Sequence, residues 1–308
     1  MNFRPEFIEY FVRAAGDYPP PSDAAPTAQE QRALHRRLAA KIGPARAMRT
    51  RDFTIAAPHP VPARLFTPDC PGPLPLFLFI HGGGWIGGDL DTHDVLCREF
   101  AHGARCAVVA IDYRLAPENK FPAPLEDALA AAKFCLEHAL DLGADPSRVA
   151  IGGDSAGGNL TAAAVLALRD RGGAMPVLQV LIYPATDFRM LTPAFSNFAG
   201  PGLGPREFIW CKAHYLNHER DALDPRASPI LGNLEGLPPT FVTTAENDVL
   251  CDDGEAYALA LAKAGVPVQV RRYLGHPHGF LSLPLEIGPT AAGIADVCAA
   301  LRQAFERA

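Results

Sequence analysis

The chain has 308 residues, 48% of them hydrophobic, with 28 lysines and arginines against 34 acids and a formal net charge of −6. That length can bury about three quarters of the unfolded surface around one large core, so one catalytic domain over residues 1–308 is expected, and the acidic balance with no basic stripe excludes nucleic acid as a partner. Seven cysteines without regular spacing read as reduced packing thiols, and the opening residues carry neither a secretion signal nor a membrane span, so the expected location is cytoplasmic.

In chain order, the opening segment reads as a helix with Phe7, Ile8, Phe11 and Val12 on one face, ended by Pro19, Pro20 and Pro21. A second helix is predicted from Thr27, where Thr27 and Glu30 have capping-box spacing and Leu34, Leu38 and Ile42 follow at four-residue intervals. From Arg51 onward, apolar strands centred near Phe53, Leu65, Phe77, Val108, Val149, Leu181, Val242 and Val268 alternate with helices near Leu129, Val165, Leu259 and Ala300. This pattern predicts an α/β fold with a mostly parallel eight-stranded sheet and helices on both faces. Between Tyr183 and Pro238 the alternation fails, and Phe195, Phe198, Phe208, Trp210 and Tyr215 lie among prolines and glycines. Short helices there, over about 185–235, together with residues of about 1–45, are expected to form a cap that excludes water from an apolar site.

The chemistry concentrates at strand ends. Gly153, Asp154, Ser155, Ala156 and Gly157 lie between the apolar Val149–Ile151 stretch and an alanine-rich helical stretch, the strand–turn–helix context of a G-x-S-x-G nucleophile. Ser155 is the candidate nucleophile, since so sharp a turn thrusts its hydroxyl outward and glycines on either side remove clashing Cβ atoms. His81, Gly82, Gly83 and Gly84 follow the buried run Leu76–Ile80, and consecutive glycines offer unobstructed N–H groups to a developing oxyanion. Gly83, Gly84 and Ala156 are the expected donors, and Trp85 beside them is expected to line the substrate pocket.

A serine nucleophile needs a base and an acid that orients it, in the chain order Ser, Asp or Glu, His. Glu246 and Asp248 follow one apolar run, and His276 and His278 follow another. Both pairs fall past the C-terminal ends of predicted strands, the edge where ligands collect in open α/β sheets. The residues alone leave both choices open.

Longer motifs narrow them. His81–Trp85, D-Y-R-L-A-P-E over 112–118, Phe121-Pro122-Ala123, D-P-S-R-V-A-I-G-G-D-S-A-G-G-N over 145–159, Tyr183-Pro184 and His278-Gly279-Phe280 occur in one order. The whole resembles the bacterial hormone-sensitive-lipase branch of the α/β-hydrolase carboxylesterases. The resemblance implies Ser155, Asp248 and His278 as a catalytic triad and a scaffolding role for His81. It further implies two-step hydrolysis of short- to medium-chain esters, a small-molecule ester as partner, and a monomer or homodimer. One segment departs from the family pattern: Ala245–Leu250 stands where A-G-x-D-P-L is usual, which adds Glu246 as a second carboxylate beside Asp248. No metal is expected, because His276 and His278 lack a third ligand at metal-binding spacing, and two-step acyl transfer requires no organic cofactor.

Two rival readings compete. Gly82, Gly84 and Gly87 satisfy G-x-G-x-x-G after a strand, and Asp112 ends a later one, as in a dinucleotide-dependent oxidoreductase. Against it, the next helix begins only near Asp91 or Thr92, and Asp112 lies beyond the usual offset of roughly 20 residues. A non-catalytic binding protein on a hydrolase scaffold is the other rival, opposed by the presence of all three triad residue types.

Overall fold

The computed structural model describes residues 2–17, 25–198 and 200–308. Its eight-stranded sheet comprises β1 (Arg49–Ile55), β2 (Val61–Thr67), β3 (Leu74–Ile80), β4 (Ala107–Ile111), β5 (Ala144–Asp154), β6 (Leu178–Ile182), β7 (Thr240–Asn247) and β8 (Val268–Pro277), in the spatial order β1-β2-β4-β3-β5-β6-β7-β8. β1 pairs antiparallel with β2 and β2 with β4, while every pairing from β4 through β8 is parallel. Each expected strand centre falls within one of these strands.

β3 shows why the sheet sits in the middle. All seven of its residues are buried, and alternate side chains serve opposite cores. Leu76, Leu78 and Ile80 join the cluster under α4 (Ala123–Glu137) and α5 (Ala156–Asp170). Phe77 and Phe79 join the cluster under α3 (Asp94–Ala104) and α9 (Gly288–Arg307). A strand covered on both faces reads as an unbroken apolar run because neither face meets water. α8 (Cys251–Lys263) closes a third cluster over Leu181 and Val242.

The N-terminal helices differ in detail from expectation. α1 (Pro5–Ala14) buries Phe7, Tyr10 and Ala14, whereas Ile8 and Val12 are 50% and 72% exposed. The inward face is therefore set by the i, i+3, i+7 positions around Phe7, whose ring meets His276. The proposed stop at Pro19–Pro21 lies outside the described residues. α2 (Ala28–Ala39) carries the expected capping box between Thr27 and Glu30, and Ile42 is buried just beyond its end. Between β6 and β7 the parallel alternation is interrupted by α6 (Pro193–Asn197) and α7 (Pro205–Tyr215).

Phe100 of α3 stands edge-on to both Phe77 and Phe79, at ring-centroid distances of 5.8 and 5.4 Å. Phe100→Ala should therefore lower stability by about 3–5 kcal/mol, read as a fall in the urea midpoint with an unchanged slope.

Candidate active site

Ser155 sits between β5 and α5 with φ 54° and ψ −116°, a region costly for any residue with a side chain. Neighbours hold it there: its N–H donates to the Ile182 carbonyl at 2.8 Å, and its carbonyl accepts from Asn159 N–H at 3.1 Å. The flanking glycines are required by space. A Cβ on Gly157 would lie 1.9 Å from the Ile80 carbonyl oxygen, and one on Gly153 would lie 2.4 Å from the same atom.

Three strand ends bring together the residues singled out in the sequence. His278 Nε2 is 2.9 Å from Ser155 Oγ, and His278 Nδ1 is 2.7 Å from Asp248 Oδ2. With Asp248 an acceptor, Nδ1 carries the proton and Nε2 faces the serine hydroxyl as an acceptor. The Asp248 side chain has no exposure and that of His278 has 12%, and Asp248 Oδ1 also accepts from Leu250 N–H at 2.9 Å. Glu246 points elsewhere and accepts from Gly275 N–H at 2.7 Å, which ties β7 to β8. His276 is also diverted: its Nδ1 bonds the Leu274 carbonyl at 2.9 Å, and its ring packs against Phe7, Tyr273 and Phe280. Among the described residues no cluster of three histidines, cysteines or acids is arranged to hold a metal ion.

The glycine loop lies over the nucleophile turn. Gly83 and Gly84 have φ of 121° and 63°, values that favour glycine, and a Cβ on Gly84 would strike Cys211 Sγ of α7 at 2.6 Å. Among the described residues the amides of Gly83, Gly84 and Ala156 find no acceptor, which leaves three donors free. Ala156 is the first residue of α5, so the positive end of that helix dipole adds to the same region. The D-Y-R-L-A-P-E segment secures the loop from beneath. Tyr113 OH donates to the His81 carbonyl at 2.9 Å, and Ala116 N–H donates to the Trp85 carbonyl at 2.9 Å.

Trp85, expected on the pocket wall, is 1% exposed. Its ring stacks on Tyr215 at 4.7 Å and 10° and touches Phe188 and Phe208. Here it joins the glycine loop to α7 by packing. The loop's link to the N-terminal segment runs through Arg32, which donates to the Ile86 and Ala116 carbonyls and pairs with Glu118. α3 starts only at Asp94, after the whole segment 81–93, so no helix N-terminus follows the glycines as pyrophosphate binding requires. A cleft of about 1270 Å³ lies at the opposite end of the strands, lined by Arg49, Thr67 and Leu74 among others, away from Ser155.

Sequence reasoning gave no role to three groups packed around this centre. Asp253, in the first turn of α8, accepts from Thr186 N–H at 2.7 Å and bonds the Thr186 hydroxyl at 2.7 Å, anchoring the segment after β6. Burial pushes its carboxyl up to about 7 despite those bonds. Asp154 and His93 lie beneath the glycine loop, with His93 Nε2 3.6 Å from Asp154 Oδ1. The available signal for Asp154 was an acid placed inside a glycine-rich run.

His81 is buried, stacks between Tyr113 and His93, and donates Nδ1–H to the Gly82 carbonyl at 2.8 Å. Burial, aided by repulsion from His93, pushes its pKa down to about 4. As pH falls from the unfolded value near 6.5, the unfolded chain takes up a proton that the folded chain refuses, so stability declines towards pH 4. Asp253 has the opposite sign, its raised pKa withdrawing stability as pH rises from about 4 to 7. His81→Asn should therefore raise the urea midpoint at pH 5 relative to that at pH 7, compared with the unaltered chain; an unchanged pH dependence would contradict the buried neutral imidazole.

Comparison with known proteins agrees with this geometry. A family model described as the alpha/beta hydrolase fold matches residues 77–282. A carboxylic ester hydrolase of Mycobacterium tuberculosis is 47% identical over 266 residues, covering 83% of this chain and 70% of the relative. An ethyl acetate hydrolase of Pseudomonas putida is 39% identical, covering 80% of this chain and 79% of its own. The solved structure of a hyperthermophilic esterase from the archaeon Pyrobaculum calidifontis superposes with a TM-score of 0.92 at 35% identity, covering 98% of this chain and 99% of that one. Among the described residues no helix is long and apolar enough to cross a membrane. With the elbow at Ser155, the glycine loop after β3 and this set of relatives, the chain belongs to the hormone-sensitive-lipase-like branch of the α/β-hydrolase fold family.

Proposed function

We propose that the chain is a serine carboxylesterase that hydrolyses short- to medium-chain esters of small molecules through an acyl-enzyme on Ser155. The observation that carries the reading is the continuous hydrogen-bonded line from Ser155 Oγ through His278 to Asp248. His278 Nε2 takes the hydroxyl proton as Oγ attacks the ester carbonyl, and Asp248 holds the proton on Nδ1 and offsets the imidazolium charge. The amides of Gly83, Gly84 and Ala156 receive the oxyanion. Collapse of the tetrahedral species breaks the bond to the alkoxy oxygen, which leaves as the alcohol with the proton from His278. Water, deprotonated by His278, then attacks the acyl-enzyme, and the acid departs with Ser155 restored. A dinucleotide has no part in these steps.

Segments of about 1–45 and 185–235 act in this reading as a cap over the acyl group. What supports it is the aromatic packing of Trp85 against Phe188, Phe208 and Tyr215 and the contacts of α2 with the loop that follows β3.

Ser155→Ala and His278→Ala should each remove esterase turnover while leaving the circular dichroism spectrum and urea midpoint close to those of the unaltered chain. Asp248→Asn should lower kcat by roughly 10⁴-fold through the wrong imidazole tautomer, whereas Glu246→Gln should leave kcat within about threefold. Steady-state hydrolysis of p-nitrophenyl acetate checks all four, and a large loss confined to Glu246→Gln would identify the other carboxylate as the acid. A p-nitrophenyl ester series from acetate to palmitate should show kcat/KM peaking at short or medium chains; an optimum at palmitate would overturn the substrate class.

A further inference from the structure

Asp154 connects the two loops that must be in register for an oxyanion to be stabilised. Its backbone immediately precedes Ser155, its side chain is almost fully enclosed, and its Oδ1 accepts from Gly82 N–H at 2.7 Å. A Cβ on Gly82 would fall 2.6 Å from Asp154 Oδ2 and 2.8 Å from the Asp154 carbonyl oxygen, so the approach of the two loops tolerates only glycine there. Gly82 therefore directs its amide at Asp154, while the amides of Gly83 and Gly84 are left for substrate.

A histidine approaches the same carboxylate oxygen. His93 Nε2 lies 3.6 Å from the same Oδ1, and His93 Nδ1 is 3.0 Å from Thr92 Oγ1. Thr92 is locked to Asp89 through three hydrogen bonds, and Asp89 pairs with Arg36 of α2 at 2.9 Å. Burial by itself would raise the Asp154 carboxyl, yet attraction to His93 and the Gly82 N–H bond hold it below its ordinary value, so it is an ionised acceptor at neutral pH. A buried charge that gives up neither its ionisation nor its partners costs too much to move independently of them.

We infer that Asp154 is a positioning residue that sets the Gly83 and Gly84 amides over Ser155, with His93 fixing the carboxylate in place. The inference rests on the reading of Ser155 as nucleophile. It differs from a merely structural role in what it affects: displaced oxyanion donors weaken transition-state binding and leave ground-state binding alone.

The test measures kcat and KM for p-nitrophenyl acetate per active site, with sites counted by the p-nitrophenolate burst from diethyl p-nitrophenyl phosphate. Counting removes any loss due to unfolded protein. Asp154→Ala should lower kcat per site by about 100-fold with KM within about threefold of the unaltered value. Asp154→Asn, whose amide oxygen still accepts from Gly82 N–H, should recover kcat to within about tenfold. Where Asp154→Ala yields no countable sites, His93→Ala serves, with an expected loss in kcat per site of about tenfold at unchanged KM. Asp154→Ala or His93→Ala retaining the full kcat per site, or Asp154→Asn as impaired as Asp154→Ala, would overturn the inference. Ser155→Ala run alongside separates the two readings. If it still turns over, the nucleophile assignment fails; if it is inactive while Asp154→Ala is unaffected per site, only the role of Asp154 fails.

Discussion

The contact between the end of β3 and the turn that carries Ser155 is the constraint on which the rest depends. A single carbon added at Gly157 would come within 1.9 Å of the Ile80 carbonyl oxygen, so the first turn of α5 and the exit of the central strand share space that only a bare backbone fits. That proximity sets the glycine loop against the turn that carries Ser155. It also explains the strained φ of Ser155: once β3 and α5 are fixed by their apolar clusters on either side of the sheet, the turn has no room to relax. Packing in the core thus supports backbone strain at the sheet edge, and the strain presents the hydroxyl.

Electrostatics then separates the buried ionisable groups by what they touch. Asp248 meets an imidazole N–H and a backbone N–H, both suited to a carboxylate. Asp253 accepts from the Thr186 N–H and hydroxyl, yet burial, with repulsion from Asp187, moves its carboxyl towards protonation. His81, enclosed between aromatic faces, is kept neutral and serves as a stacked spacer whose own carbonyl is held by Tyr113. Acids and histidines of the same type therefore take different roles because their surroundings differ, as desolvation and local partners require.

Much of this was legible in the residues. All eight strands were visible; the buried parallel ones among them show as short unbroken apolar runs such as Leu76–Ile80, and the capping box at Thr27 marked the start of α2. The nucleophile turn was visible because its glycines are dictated by contacts across the fold, which leaves a fixed local signature. The choice of Asp248 over Glu246, and of His278 over His276, came from resemblance to a family motif, since spacing alone fits either member of each pair; the structure shows the physical difference, Glu246 being used on Gly275 and His276 in an aromatic cluster. The α1 face was misassigned because Ile8 and Val12 are apolar yet exposed, and hydrophobicity alone does not say which side of a short amphipathic helix meets the core. Trp85 was placed on a pocket wall because it neighbours the glycines, but the aromatic rings that bury it lie more than a hundred residues away in sequence. Asp154 and His93 were missed for a similar reason: their partners, Gly82 and each other, are close only after β3 and β5 pair.

The central claim is geometric, that one hydroxyl, one imidazole, one carboxylate and three backbone amides surround a single reacting carbonyl. A crystal structure of the protein after reaction with a p-nitrophenyl phosphonate measures this most directly. The account requires phosphorus bonded to Ser155 Oγ, with the phosphoryl oxygen about 2.7–3.1 Å from the amides of Gly83, Gly84 and Ala156. Phosphorus on another residue, or a phosphoryl oxygen turned away from all three amides, would contradict it.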